Sequence, residues 1–336
     1  MAAVMALAAE SQALGEAKPG REITDMAGRA VLLPLEIKNI GTLGSVGVLN
    51  ALVEAMGEGS KIMNRLPHSF ASSGRWGLQR EFAPRSEFGP LFEGASRELL
   101  IENVIMAKPD VVLAMAKELC DHMDRIGVPC VYLEWKDLGD IKDAMELMGQ
   151  VLGRPDRAKR YLEWFDQKIA LAEELTKGLP EKRKPKVLYG DPLRLSQPHQ
   201  IAEWWIAKAG GRSVTSQSMV KGSLKYNIED LLLWDPEVMI LLSHSDVSEI
   251  KKNENLKNVN AVKNDKFYFI PTVAHTWGNR TVEQPLTVLW AIHQFHPNLL
   301  SRERLAQEIK DFYSTFFLYE LSEERINAII GGPDFD

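Results

Sequence analysis

Two stretches of this chain follow the same pattern. Ile101–Met115 reads IENVIMAKPDVVLAM and Ile228–Leu242 reads IEDLLLWDPEVMILL, 127 residues further on and without a gap. In each, a proline follows the glutamate by seven residues, an acid follows the proline, and a β-rich apolar run closes the stretch. A proline ends a preceding helix, and a short unbroken apolar run suits a strand buried on both faces. The spacing therefore predicts one helix–turn–strand unit used twice. A chain of 336 residues has room for about two domains.

Composition narrows the function classes. Hydrophobic residues at 45% and charged residues at 26% are ordinary for a globular chain. A net charge of -6 argues against a nucleic-acid partner, which would favour a basic face. No apolar run approaches the ~20 residues needed to span a bilayer. Residues 1–20 are alanine-rich, with small-residue sites such as ALA and GEA, and no Lys or Arg precedes Lys18. They read as a signal-like or disordered leader. The two cysteines, Cys120 and Cys130, permit at most one disulfide and are expected as free, half-buried thiols.

Strand and helix signals alternate on both sides of one long helical stretch. REITDMAGRAVLLP predicts a hairpin turning at Ala27-Gly28. IKNIGTLG predicts a strand, SVGVLNALVEAMG a helix stopped by Gly57, and GSKIMN a further short strand. Leu66 to Ala95 has no clear period and holds Arg75, Trp76, Arg80 and Arg85. Residues 138–179 are almost wholly helical, with Pro155 suited to a first helical turn. The second half then repeats the order: KVLYGD as strand, HQIAEWWIAKAGG as helix, the repeated unit, and KFYFIP as strand. The resulting organisation is an N-terminal lobe at 21–137, a connecting helix at 138–179, and a C-terminal lobe with closing helices at 180–336. The fold class is α/β: two Rossmann-like lobes with parallel sheets, joined by one long rigid helix, with a ligand cleft between them. Ligands of such sheets bind beyond the carboxyl ends of the strands. Those ends carry TLGSVG and the Arg-rich loop in one lobe, and GDPLRLSQ (with Arg194) and TVAHTWGNR in the other.

No catalytic constellation emerges. GTLGSVG is not a dinucleotide fingerprint. SHSD at 243–246 lacks a nucleophile elbow and reads as a loop. His293 and His296 have no acidic partner nearby and read as structural. No cofactor is expected. A two-lobed Rossmann-like enzyme, of glycosyltransferase or chelatase type, is the rival class; it would usually carry a nucleotide or cofactor site.

ITDMAGRAVLLP, NIGTLG, IENVIMAKPDVVL, AKAGGRSV, IEDLLLWDPEVMIL, LKNVNAVKNDKFYFIP and PLTVLWAIHQFHP, in this order, resemble the substrate-binding proteins of ABC importers for iron–siderophore complexes, haem and cobalamin. The resemblance covers about residues 22 to 318. It implies a non-enzymatic protein, periplasmic or extracytoplasmic and membrane-associated, expected to be a monomer, that delivers a metal chelate to a permease at the membrane surface. It also implies that Glu102 and Glu229 engage arginines of that permease. A ferric siderophore is the expected ligand, with haem, cobalamin or a divalent metal–chelator complex as alternatives. Bulky anionic chelates call for guanidinium donors and aromatic faces. The expected ligand-binding residues are Arg75, Trp76, Arg80, Arg85, Arg194, His275, Trp277 and Arg280, with His275 also a candidate metal ligand.

Overall fold

A computed structural model describes residues 20–71, 76–136, 139–216, 222–243 and 246–331. The signal-like leader, apart from Gly20, lies outside them, as do Arg75 and the centre of SHSD.

The hairpin forms as expected. β1 (Gly20–Thr24) pairs antiparallel with β2 (Ala30–Pro34). Asp25 holds the turn: its carboxylate accepts the N–H groups of Ala27 and Arg29 and pairs with the Arg29 guanidinium at 2.8 Å. The same carboxylate accepts the Tyr132 N–H, which ties the hairpin to the first sheet.

That sheet is parallel, in the order β3 (Ile40–Leu43), β4 (Val111–Ala114), β5 (Cys130–Tyr132). All three strands are buried along their whole length, because helices cover both faces. The second lobe holds β6 (Lys186–Tyr189), β7 (Ser196–Gln197), β8 (Arg212–Ser213), β9 (Leu224–Lys225), β10 (Val238–Leu241) and β11 (Phe267–Phe269). Its main sheet is also parallel, in the order β11, β10, β6, β8, while β7 and β9 form a small antiparallel pair.

The repeated text is a repeated structure. The helices Ile101–Ala107 and Ile228–Trp234 each end on a left-handed residue, Lys108 at φ 50° and Asp235 at φ 45°. The proline follows, and then the acid does the same work in both lobes. Asp110 accepts the N–H groups of Lys38 and Asn39, both at 2.8 Å, at the start of β3. Glu237 accepts the Lys186 N–H at 2.8 Å at the start of β6. In each case the carboxylate satisfies donors at the open end of the neighbouring strand.

GSKIMN does not form the expected strand. Gly59–Lys61 is a 3-10 turn, and only Ile62 bridges Ile40. The Asn64 side chain takes over the next rung: its Oδ1 accepts the Thr42 N–H at 2.9 Å and its Nδ2 donates to the Thr42 carbonyl at 3.1 Å. A side-chain amide thus replaces a strand residue at the sheet edge. The cysteines also differ from expectation. Both are free and fully buried, not half-buried, and the Cys130 thiol is pushed far up by its hydrogen bond to Cys120 and by burial.

The helical stretch resolves into Asp140–Leu152 and Pro155–Thr176, broken at Gly153 (φ 65°). The second helix has 22 residues and so spans ~33 Å. The two cross closely at Gly149, where a β-carbon would lie 2.6 Å from that of Ala158. The C-terminal helices then return across the molecule. Trp164 of the long helix stacks on Phe312 at 4.5 Å, and Phe82 of the first lobe packs on Phe317 at 4.8 Å. One buried cluster therefore runs from the first lobe through the long helix into the second. Arg325 clasps Glu81 at 2.7 Å at its edge.

Candidate functional site

The carboxyl ends of β3 and β11 meet at a seam between the lobes. β3 runs through Gly44 (φ 82°) into the helix Val46–Ala55, whose first turn has no side-chain cap. Gly47 in that turn is closely covered: a β-carbon would sit 3.0 Å from the His275 ring and 3.3 Å from Phe70. His275 thus reaches from the second lobe onto the backbone of the first. Trp76 covers it, with ring centres 5.2 Å apart, and packs in turn on Phe70 at 4.7 Å. Gln79 pins the two sides together, since its Nε2 donates to the Gly47 carbonyl at 2.9 Å and to the Ala274 carbonyl at 2.7 Å.

The loop carrying His275 is held from below by a fully buried acid. The Glu283 carboxyl accepts the N–H groups of Ala274 (3.1 Å) and His275 (3.0 Å), the Thr281 hydroxyl (2.6 Å) and the Tyr313 hydroxyl. Burial pushes its pKa up, and these hydrogen bonds oppose the rise. Glu54 is buried with no partner for either oxygen among the described residues, and burial, then the Glu283 charge, raises its pKa well above the usual carboxylate range.

Arg280 closes the far side. Its Nη1 donates to the Trp135 carbonyl at 2.8 Å, reaching from the second lobe to the segment after β5. Among the described residues no carboxylate pairs with it. Its neighbour Asn279 accepts the Tyr189 hydroxyl at 3.1 Å, where β6 ends. Gly278 is obligatory there, because a β-carbon would fall 2.3 Å from the Tyr189 ring.

His275 and His199 are each pushed down to about 4, chiefly by burial and further by the Arg280 charge. Both are neutral at pH 7, so Arg280 supplies the positive charge at this point of the seam. Unfolded histidines protonate near 6.5. Their stabilising effect is therefore complete above pH 6.5 and is lost as pH falls towards 4. Glu54 and Glu283 act in the opposite sense, since their raised pKa values favour the fold at low pH. Between pH 6.5 and 4.5 the histidines lower the denaturant midpoint as pH falls while the two acids raise it, and His275→Gln should remove the part of the downward slope that His275 contributes. An equal slope in the variant would contradict the assignment to His275.

The other predicted residues scatter. Arg80 lines a shallow cavity of about 240 Å³ with Arg65, Leu66, Ser86 and Glu87. Arg85 donates to the Lys38 carbonyl (3.1 Å) and the Asn39 side chain (2.8 Å), at the amino end of β3 and so at the opposite end of the sheet from the seam. Arg194 is exposed and pairs with Asp191 just beyond β6. Trp277 is fully buried and presents no face to a ligand in this structure. Among the described residues no three His, Cys, Asp or Glu side chains gather as a metal site, at His275 or elsewhere. His293 and His296 meet the carbonyls of Leu300 (2.9 Å) and Gly210 (3.0 Å). Gln79, Phe70, Trp135, His199 and Glu283 went unnoticed in the sequence. Only the position of Gln79 and Phe70 inside the aperiodic segment pointed towards them.

Residues 93–274, more than half of the chain, match the model of the periplasmic binding protein family. The chain belongs to that family. It is a solute-binding protein that works with an ABC transporter and not an enzyme, and an extracytoplasmic location fits it. The molybdate-binding protein MolA of Haemophilus influenzae is 21% identical over 329 residues, covering 88% of this chain and 91% of that protein. The iron(3+)-hydroxamate-binding protein YxeB of Bacillus subtilis is 21% identical over 191 residues, covering 50% of this chain and 57% of YxeB. Among solved structures, a periplasmic solute-binding protein from Veillonella parvula superposes with a TM-score of 0.80 at 25% identity, covering 93% of this chain and 97% of that one. MolA bound to molybdate superposes at 0.76 with 20% identity, covering 90% and 99%. No described helix is long and apolar enough to cross a membrane.

Proposed function

We propose that the seam captures a compact metal-containing anion, an oxyanion of the molybdate class, and that the protein passes it to an ABC permease. Arg280 carries this reading. It is a half-buried guanidinium without a carboxylate partner among the described residues, fixed across the seam by Trp135. A cation so placed favours an anion, and its flat fork of donors suits oxyanion geometry. The near full-length similarity to MolA supports the same ligand class.

A ferric hydroxamate chelate is the second reading. The Trp76–Phe70 pair on the seam and the partial similarity to YxeB favour it. Calorimetry against molybdate, tungstate, sulfate, a ferric hydroxamate, haem and cobalamin separates these. Molybdate or tungstate should bind with a dissociation constant near or below ~1 µM, about -8 kcal/mol. Tight binding of the ferric hydroxamate alone would move the assignment to the second reading. Binding of none of the six would remove both.

A further inference from the structure

Cys120 and Cys130 flank a single turn. Cys120 lies on the helix Lys117–Arg125, and Cys130 opens β5 ten residues later. The turn is tight: the N–H groups of Ile126 and Val128 both donate to the Met123 carbonyl, at 3.1 and 3.0 Å. The chain therefore folds straight back from helix to strand. Cys120 and Met123, three apart, share one side of the helix. Cys130 and Tyr132, two apart, share one face of the sheet. All four belong to the same buried cluster, whereas Val131 faces the other one. The two thiols thus meet where the helix lies on the sheet, with Cys130 hydrogen-bonded to Cys120.

Arg29 clamps the same corner. Its guanidinium donates to the Cys130 carbonyl at 2.8 Å and pairs with Asp124 at 3.0 Å and with Asp25 at 2.8 Å. The two sulfurs are not alike. The hydrogen bond from Cys130 lowers the Cys120 pKa most, burial opposes it, and the Arg29 charge lowers it again. That same hydrogen bond, and then burial, push Cys130 up. Cys120 is therefore the better thiolate, and Cys130 keeps its proton longer. An extracytoplasmic location fits this family, and disulfides form and persist in such compartments.

We propose that Cys120 and Cys130 are joined as a disulfide after export, by exchange with the disulfide of a thiol oxidant. Cys120 gives up its proton, and its sulfur attacks the oxidant's disulfide. A mixed disulfide forms and one oxidant thiolate leaves. The Cys130 sulfur, losing its proton, then attacks the Cys120 sulfur and releases the second oxidant thiolate. The two protons end on the two leaving thiolates, so two cysteines are oxidised while one disulfide is reduced to two thiols. Both steps precede final packing, because neither cysteine is exposed once the helix lies on the sheet. The bond braces β5, the edge strand of the first sheet. That strand leads to Trp135, whose carbonyl holds Arg280 at the seam. The bond is independent of which anion the seam takes.

The test weighs the full chain, exported behind a cleavable signal and purified without reductant, after unfolding in iodoacetamide. It should carry no label and lie two hydrogens below the reduced mass. After reduction it should carry a label on each cysteine. The reduced chain refolded with oxidised glutathione should reach the same product. The oxidised protein should melt about 3–6 °C above the reduced one, because the cross-link constrains the unfolded chain. Cys120→Ala with Cys130→Ala should melt at one temperature with or without reductant. If that variant fails to fold, labelling of the wild type decides alone. Two labels on the exported protein before reduction would overturn the proposal. A covalent dimer, or a stable glutathione adduct on Cys120 as the end product, would overturn it as well.

Discussion

Reversing both exposed glutamates, Glu102→Arg with Glu229→Arg, is expected to abolish uptake while ligand affinity in solution stays unchanged. Each acid lies in the first turn of its helix and is exposed. An acid in that position contributes only ~0.3–1 kcal/mol through the helix dipole, so the fold should survive. Against basic groups of a permease the reversal turns attraction into repulsion, which costs several kcal/mol at an interface and falls hardest on the association rate. Uptake of labelled molybdate by cells that depend on this protein, and calorimetry of the purified variant, form the paired measurement. Unimpaired uptake would reduce the glutamates to solvated helix starts. Lost ligand binding would place them at the ligand instead.

Arg280→Gln is expected to weaken anion binding by about 2–5 kcal/mol, which is roughly 30-fold to several-thousand-fold in dissociation constant. Arg280 is the cation on which the proposed site depends, and burial of its charge is worthwhile only if an anion repays the desolvation. Arg280→Lys keeps the charge but gives up the planar fork, so it should recover only part of the loss. The neutral variant loses one hydrogen bond to the Trp135 carbonyl, which is worth about 0.5–1.5 kcal/mol of stability. A small drop in melting temperature beside a large drop in affinity is therefore the expected signature. Equal affinity for molybdate in Arg280→Gln and wild type would remove Arg280 from the site.

The long helix and the returning C-terminus bear on how these effects reach the ligand. Phe82 from the first lobe lies against Tyr313, Phe317 and Tyr319 of the C-terminal segment, and Gln79 in the same short helix bridges the seam. The lobes are thus joined at the connecting helix, at the closing helices and at the seam itself. Packing of this kind resists large hinge motion more than a pair of strand linkers would.

The sequence by itself determined the elements that local pattern encodes. The repeated helix–turn–strand, the parallel strands at β4 and β10, and the helices after Leu138 follow from periodicity, proline position and short apolar runs. These signals depend on neighbours within a few residues, and so they are legible without a fold. The exposed glutamates at Glu102 and Glu229 followed from the same repeat. Tertiary structure alone decided what meets across the chain. Arg75, Trp76, Arg80 and Arg85 looked like one basic–aromatic cluster, yet Trp76 covers His275 while Arg85 holds the far end of β3. Asn64 replaces a strand by its side chain, and Glu283 supports a loop through two backbone N–H groups. Gln79 and Ala274 stand 195 residues apart in sequence and 2.7 Å apart in the fold. A contact of that range leaves no periodic trace, because single side chains make it only after the core has placed their backbones.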